Sequence, residues 1–310
     1  MIHIFDHALG FREPIPAGDG EVPVFSFGAN MSLASLRSRG VPVSDDREPI
    51  RATLDDHELV FNLAPTHTAA YEGHYANVRP KQGAKVHGVV VWFPPAGLRE
   101  LDTREGPSYD RRWTQVTPYA TSVAEPIKVM IYVQTQSFPG VSVLKDGLPG
   151  RRYLMTLVTG ADRAGLLPEW IEHLRSLPYR PYEQFDWDDE DHKKALLQRE
   201  YTADEIIASH KSRDPLLVSI LGVVILLPTS LKPAELNVFT ALEDLTLATA
   251  TRVAYEPPPK DALALTAEQR GFVESILCSL ARFPGARIMG HLPNYCEFWT
   301  NPVTQHSSCL

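Results

Sequence analysis

Residues 57–63 read HELVFNL and residues 86–93 read VHGVVVWF. The first segment alternates polar and apolar residues, the second is an apolar run rich in β-branched residues, and both patterns are typical of β-strands. Further strands are predicted at residues 22–27, 112–116 and 127–133. Because these strands follow one another at hairpin-like spacing, the sequence predicts an α+β fold with a small curved or barrel-like mixed sheet.

Helical patterns stand between and after these strands. Leu167, Ile171 and Leu174 recur at the spacing of one helix face, which predicts a helix over residues 167–177. Other helices are predicted at residues 32–38, 98–105 and 151–158, and the last of these is expected to end at Thr159-Gly160-Ala161. We expect the helices to flank the sheet from outside.

The acidic run DWDDED at residues 186–191 separates two regions of different pattern. We interpret the run as a solvated linker or a helix start rather than a metal site, because acidic runs usually stay hydrated. Beyond it, the sequence predicts helices near residues 203–210, 241–250 and 268–281 and one or two buried strands at 216–227. The predicted organisation is a lead-in at residues 1–20, a first domain at 21–185 and a C-terminal α/β extension of unknown fold at 186–310.

Composition narrows the class of protein. The formal net charge of −8 over 310 residues, without a basic cluster, argues against nucleic-acid binding. The longest apolar run, residues 216–228, is too short to span a bilayer, so no membrane association is predicted. Three scattered cysteines and an N-terminus without a secretory pattern favour a reducing compartment, and we expect a cytoplasmic protein.

Several common catalytic patterns are absent from the sequence. There is no GxGxxG, Walker P-loop, HExxH, GxSxG or CxxC motif, and the 11 histidines do not stand at zinc-like spacing. The sequence therefore gives no support for nucleotide-dependent, zinc-dependent or serine-hydrolase chemistry, and we expect neither a cofactor nor a metal.

Three segments within residues 21–185 carry a pattern other than these common catalytic motifs. Residues 25–31 read FSFGANM, a glycine turn between a predicted strand and a predicted helix. Residues 101–106 read LDTREG and are followed by Tyr109, and Tyr153 stands seven residues before GADRAGL at residues 160–166. In this order and spacing, the segments resemble the γ-glutamylcyclotransferase family.

The resemblance covers roughly residues 22–177 and implies an enzyme that closes a γ-glutamyl group to 5-oxoproline and releases an amine, amino acid or peptide. It places Glu105 as the acid/base. Such a residue must take a proton from the attacking α-ammonium group and give one to the leaving amine, which one well-placed carboxylate can do. Because ring closure is intramolecular, the reaction needs positioning and a proton carrier rather than a metal or nucleotide.

The same resemblance names the substrate-binding residues. A glycine turn leaves backbone N–H groups pointing outwards, backed by the positive end of a helix, and these suit the α-carboxylate of the substrate. Tyr109 and Tyr153 would offer hydroxyls to that carboxylate or to the developing oxyanion, although ordinary packing would also explain them. The residues expected to contact substrate are Phe25, Ser26, Phe27, Gly28, Ala29, Asn30, Tyr109 and Tyr153.

One departure from the family pattern keeps an alternative open. The family's turn has tyrosine and serine where this chain has Phe27 and Ala29, so two hydroxyls are missing. The expected partner is a small γ-glutamyl molecule, with glutathione-like conjugates of a biosynthetic or detoxification pathway as one variant. The alternative is a catalytically inactive binding or regulatory module on the same fold. For residues 186–310 the open roles are covering the site, forming a homodimer or binding a partner.

Overall fold

The computed structural model describes residues 20–64, 73–105, 109–119, 125–135, 143–212, 216–228, 245–253 and 255–293. The chain forms two compact units that divide between Arg180 and Pro181. Each unit has a hydrophobic cluster of its own, so each is described by itself. The functional assignment of the domains at residues 21–185 and 186–310 stays a prediction, and most of the lead-in lies outside the described residues.

The first unit is built on a closed sheet. Five strands follow the order β3-β1-β5-β4-β2, and β2 pairs again with β3, which closes the barrel and removes its edges. All of these pairings are antiparallel except β1 with β5. The predicted α+β fold with a barrel-like mixed sheet is therefore confirmed. The strands, including a short β6 that adds to β2, are β1 (Val22–Ser26), β2 (Ile50–Ala64), β3 (Tyr75–Phe93), β4 (Asp110–Pro118), β5 (Ile127–Val133) and β6 (Val143–Leu144).

Strand β3 runs for 19 residues, through Pro80 and Gly83, where the sequence suggests breaks. The strand continues because it bends instead of ending. Gly83 has φ +77° and donates its N–H to the Asp56 carboxylate over 2.7 Å, while Asp56 itself has φ +54°. The register with β2 shifts at this point, so the long hairpin contains a bulge.

Helices flank the barrel, as expected. The long helix α3 continues beyond the predicted end at residue 158 and passes through Gly160. A Cβ at Gly160 would lie 3.5 Å from the Met31 Cβ, an ordinary van der Waals contact, so this turn of the helix packs against Met31 without requiring a glycine. The elements are a 3-10 turn (Ala29–Met31), α1 (Leu33–Ser38), α2 (Pro95–Glu105), α3 (Arg151–Arg163) and α4 (Pro168–Ser176).

The second unit contains a three-stranded antiparallel sheet with strand order β7-β8-β9. The apolar run predicted as one or two strands is a hairpin whose turn, Leu221-Gly222, has positive φ at both residues. Of the helix predicted at 241–250, residues 241–244 lie outside the described part. The elements are α5 (Glu190–Leu196), α6 (Ala203–Ser212), β7 (Leu216–Ile220), β8 (Val223–Leu227), α7 (Thr246–Ala250), α8 (Ala267–Ala281) and β9 (Arg287–His291).

The acidic run at residues 186–191 is a turn that leads into a helix. The Asp189 carboxylate accepts the backbone N–H of His192 over 2.9 Å and thereby caps α5. Among the described residues, no group of three potential metal-binding side chains is close enough to hold an ion. None of the described helices is long and apolar enough to cross a membrane. Cys278 is buried with a free thiol, whereas Cys296 and Cys309 lie outside the described residues.

Candidate active site

The first unit encloses a cavity of about 380 Å³ at the end of β1. Its wall is formed by β1 and the 3-10 turn, the start of β3, the last turn of α2, and side chains from β5 and α3. Every residue that the sequence singled out lines this one cavity: Phe25, Ser26, Phe27, Gly28, Ala29, Asn30, Glu105, Tyr109 and Tyr153. The roles assigned to them stay predictions.

The turn after β1 differs from the sequence interpretation in one respect. The helix that begins directly after Gly28 is a single 3-10 turn, because Ser32 returns to extended backbone (φ −90°, ψ 108°) before α1 starts. A turn this short adds little dipole to a carboxylate site. Residues 27–30 of the turn line the cavity, and the Asn30 side chain contacts Glu105 there.

Glu105 is the last residue of α2 and is half-buried. Leu98 and Leu101, on the buried face of the same helix, anchor α2 to the barrel. The Asn30 side-chain amide donates a hydrogen bond to Glu105 Oε1 across 75 residues of sequence. The carboxylate is therefore held against the turn that follows β1.

Two tyrosines of the cavity, Tyr109 and Tyr132, stay protonated at neutral pH. Burial, reinforced by the nearby Glu105 carboxylate, holds the pKa of Tyr109 well above its ordinary value. Burial raises the pKa of Tyr132 as well, aided by the hydrogen bond of 2.6 Å that its hydroxyl donates to Asp102. The Tyr153 hydroxyl accepts the backbone N–H of Ala76 over 3.1 Å. The lining of the cavity thus combines the Glu105 carboxylate with the neutral hydroxyls of Tyr109 and Tyr132.

Polar residues that the sequence did not single out also line the cavity: Arg39, Tyr75, Arg104 and Tyr132. Arg39 donates to Asn30 Oδ1 over 2.7 Å. Arg104 donates to the Arg39 carbonyl and forms an ion pair with Glu100. Two guanidinium groups therefore stand on the Glu105 side of the cavity.

Comparison with known families agrees with this arrangement. Residues 24–149 match the family model described as "Gamma-glutamyl cyclotransferase, AIG2-like". Over these residues, fewer than half of the chain, the sequence is similar to the AIG2-like γ-glutamyl cyclotransferase family. The matched segment holds the turn, Glu105 and Tyr109, and it ends before Tyr153. No curated protein matches the chain.

Solved structures similar to the chain include one titled "Gamma-glutamyl cyclotransferase", 22% identical, which covers 56% of this chain and 99% of its own with a TM-score of 0.44. An uncharacterized human protein is 22% identical over 56% of this chain and 96% of its own, with a TM-score of 0.43. A yeast γ-glutamyl cyclotransferase described as specific to glutathione is 16% identical over 50% of this chain and 93% of its own, with a TM-score of 0.37.

Proposed function

We propose that the first unit converts a γ-glutamyl compound into 5-oxoproline and a free amine, with Glu105 as the acid/base. One observation carries the proposal: Glu105, whose carboxylate is held by Asn30, lines the same cavity as the turn at residues 27–30. The match of residues 24–149 to the cyclotransferase family model supports the reaction class.

The substrate α-ammonium group first loses one proton to become the attacking amine, and a second proton leaves the same nitrogen as the ring closes. Both protons end on the leaving amine, so no outside reactant is needed. The substrate α-amine attacks its own γ-carbonyl carbon, so a new C–N bond forms and the bond to the leaving amine breaks. Glu105 takes the proton released from the attacking nitrogen and delivers it to the leaving nitrogen. The atoms of the γ-glutamyl compound are divided between the two products without water.

The tetrahedral intermediate would carry negative charge on the former carbonyl oxygen. Tyr109 stays protonated because its pKa is raised by burial and by Glu105, so it can donate a hydrogen bond to that oxygen. Tyr153 lies on the same cavity wall as Gly28, since a Cβ at Gly28 would lie 3.5 Å from the Tyr153 hydroxyl oxygen. We assign the backbone of the turn and the Tyr153 hydroxyl to the substrate carboxylate.

A second function, binding without turnover, is favoured by the turn itself. Phe27 and Ala29 provide no hydroxyl to the cavity, where the family pattern has two. A non-catalytic module on this fold would bind the γ-glutamyl compound and leave it intact. The glutathione-like substrates, the cytoplasmic location and the homodimer remain predictions.

One assay separates the two functions. We expect the purified protein to release 5-oxoproline, detected by mass spectrometry, from at least one member of a panel of γ-glutamyl dipeptides, γ-glutamyl amines, glutathione and glutathione conjugates. Glu105→Gln should abolish release while retaining the fold, because the amide keeps the size of the side chain but cannot accept the proton.

The matched control is Glu172→Gln, which changes an exposed glutamate of α4 paired with Arg175. This variant should keep the wild-type rate. Binding of substrate without any release of 5-oxoproline would favour the non-catalytic module, and full activity of Glu105→Gln would remove Glu105 from the mechanism.

A further inference from the structure

The Asn30 side chain lies between a cation and a carboxylate. Arg39 Nη2 donates to Asn30 Oδ1 over 2.7 Å, and Asn30 Nδ2 donates to Glu105 Oε1. A guanidinium can only donate and an ionised carboxylate can only accept, so the carboxamide has one orientation that satisfies both neighbours. The arginine therefore determines which face of Asn30 is turned towards Glu105.

The backbone around Arg39 is fixed by the end of α1. Gly40 has φ +73°, its N–H donates to the Arg37 carbonyl over 2.9 Å, and the Val41 N–H donates to the Leu36 carbonyl over 3.0 Å. These two bonds form a Schellman motif with Arg39 as the C-cap residue. The guanidinium therefore projects from a defined backbone position rather than from a loose loop.

The helix that carries Glu105 also holds Arg39. Arg104 belongs to α2 and donates a hydrogen bond to the Arg39 carbonyl oxygen. Burial lowers the pKa of Arg39, the Glu105 charge opposes that effect, and Arg104 adds to it. The charges of the Arg39 guanidinium and the Glu105 carboxylate thus interact across Asn30. Arg104 and Glu105 are neighbours on α2, and they contact Arg39 and Asn30 respectively.

We propose that Arg39 is a positioning residue for Glu105 and acts through the Asn30 carboxamide. The inference rests on the proposed function, since it concerns how the acid/base is held. Without Arg39, the carboxamide loses the hydrogen bond that fixes its oxygen, so Asn30 and the carboxylate bound to its Nδ2 are held less firmly. Arg39 then affects the proton-transfer step more than substrate binding.

Kinetics of Arg39→Met, compared with Arg39→Lys and Arg37→Met, test the proposal. Arg39→Met should lower kcat roughly 10- to 100-fold, the range for loss of a hydrogen bond to a charged group, with a much smaller change in KM. Arg39→Lys retains a donor for Asn30 Oδ1 and should recover part of kcat. Arg37→Met, which removes an exposed arginine paired with Asp45, should match wild type.

Two kinetic results would overturn the inference. Unchanged kcat in Arg39→Met means that Glu105 is positioned without Arg39. A raised KM at constant kcat means that Arg39 contacts the substrate directly. If Arg39→Met fails to fold, as judged by circular dichroism, Arg39→Ala, which also leaves no donor for Asn30 Oδ1, takes its place under the same two criteria.

A second readout does not depend on turnover. The side-chain amide signals of Asn30 can be identified by NMR from their loss in Asn30→Ala. They should shift in both Arg39→Met and Glu105→Gln and stay in place in Arg37→Met. Unshifted signals in Arg39→Met overturn the inference. If the wild-type protein releases no 5-oxoproline, the proposed function fails, whereas these spectra still decide whether Arg39 and Glu105 are coupled through Asn30.

Discussion

Ala29 lies in the wall of the cavity at a position where a single oxygen atom can change the choice of substrate. Ala29→Ser should be tolerated, because serine differs from alanine by one hydroxyl that can point into the cavity. For small γ-glutamyl dipeptides it should add one neutral hydrogen bond, about 1 kcal/mol, and lower KM severalfold. For a substrate with a bulky apolar group near this wall, the hydroxyl should weaken turnover.

Steady-state kinetics on one small and one bulky γ-glutamyl compound measure the effect. Ala34→Ser, an exposed change on α1, is the control and should leave both rates unchanged. An unchanged ratio between the two substrates in Ala29→Ser would show that Ala29 does not line the specificity pocket.

The sequence singled out Glu105 and the turn because their spacing matches a family pattern. Arg39 has no comparable signal, since an arginine before a glycine after a short helix indicates only a C-cap. Tyr132 stands in the apolar strand IKVMIYV, where a tyrosine is typical of ordinary core packing. Both residues have partners on α2, since Arg104 donates to the Arg39 carbonyl and Tyr132 donates to Asp102, and only the folded chain brings these segments to the same cavity.

At the scale of elements, the end of α1 affects both the stability of the folded protein and the position of Arg39 in the cavity. Gly40→Ala places a Cβ in open space but at φ +73°, which L-residues adopt at a cost of about 1–2 kcal/mol. We expect a lower midpoint of thermal unfolding and, because Arg39 precedes Gly40, a reduced kcat. Gly20→Ala is the matched control, since its Cβ also meets open space without a positive φ. Equal unfolding midpoints for the two variants would contradict the assignment of the motif.

The contact between β3 and α4 should make stability depend on pH. His87 stacks on Trp170 with ring centroids 4.8 Å apart, and its Nδ1 is hydrogen-bonded to the Tyr119 hydroxyl. Burial is the largest cause that lowers the pKa of His87, with Glu169 opposing it. The unfolded chain then binds the proton more tightly than the folded chain, so stability falls as the pH drops below about 6.5.

His87→Gln removes this titration. The unfolding midpoint, followed by circular dichroism, should fall less steeply between pH 7 and pH 5 than in wild type. Some dependence should remain, because burial also lowers the pKa of His74. If the unfolding midpoint changes with pH as steeply as in wild type, His87 does not contribute to the pH dependence of stability.

The local sequence pattern placed the end of α3 too early, for a physical reason. Thr159-Gly160 indicates a helix end, yet α3 continues to Arg163, where Gly165 at φ +66° follows. The Leu166 N–H then donates to the Ala161 carbonyl over 3.0 Å. Both glycines carry the same local propensity, and packing against Met31 at Gly160 is a tertiary contact that the sequence pattern does not contain.

At the scale of the whole chain, the described residues that line the cavity all belong to the first unit. The last residue of that unit is tied to it, since the Arg180 N–H donates to the Pro149 carbonyl over 2.8 Å and its carbonyl accepts from Arg151 over 3.0 Å. A chain ending at Glu183 should therefore fold cooperatively and retain the 5-oxoproline-forming activity. A chain ending at Leu177 should unfold at a lower temperature.

Thermal unfolding and the 5-oxoproline assay on the two truncated proteins check this expectation. An inactive but folded chain ending at Glu183, beside an active full-length protein, would show that the second unit contributes to the reaction. The sequence predicted a change of pattern near residue 185, but the pattern of residues 186–310 suggested no fold, because its strands are short and buried on both sides.

The parallel pairing of β1 with β5 has a consequence for synthesis of the protein. Val24 of β1 pairs with Met130 of β5, more than a hundred residues later in the chain. Until β5 has left the ribosome, β1 can pair only with β3 and exposes its other edge, and its sequence VPVFS is mostly apolar. Contacts this distant close slowly. The nascent chain therefore passes through a stage in which an open, apolar strand edge is available to chaperones or to other copies, and the cavity is complete only after the ring of strands has closed.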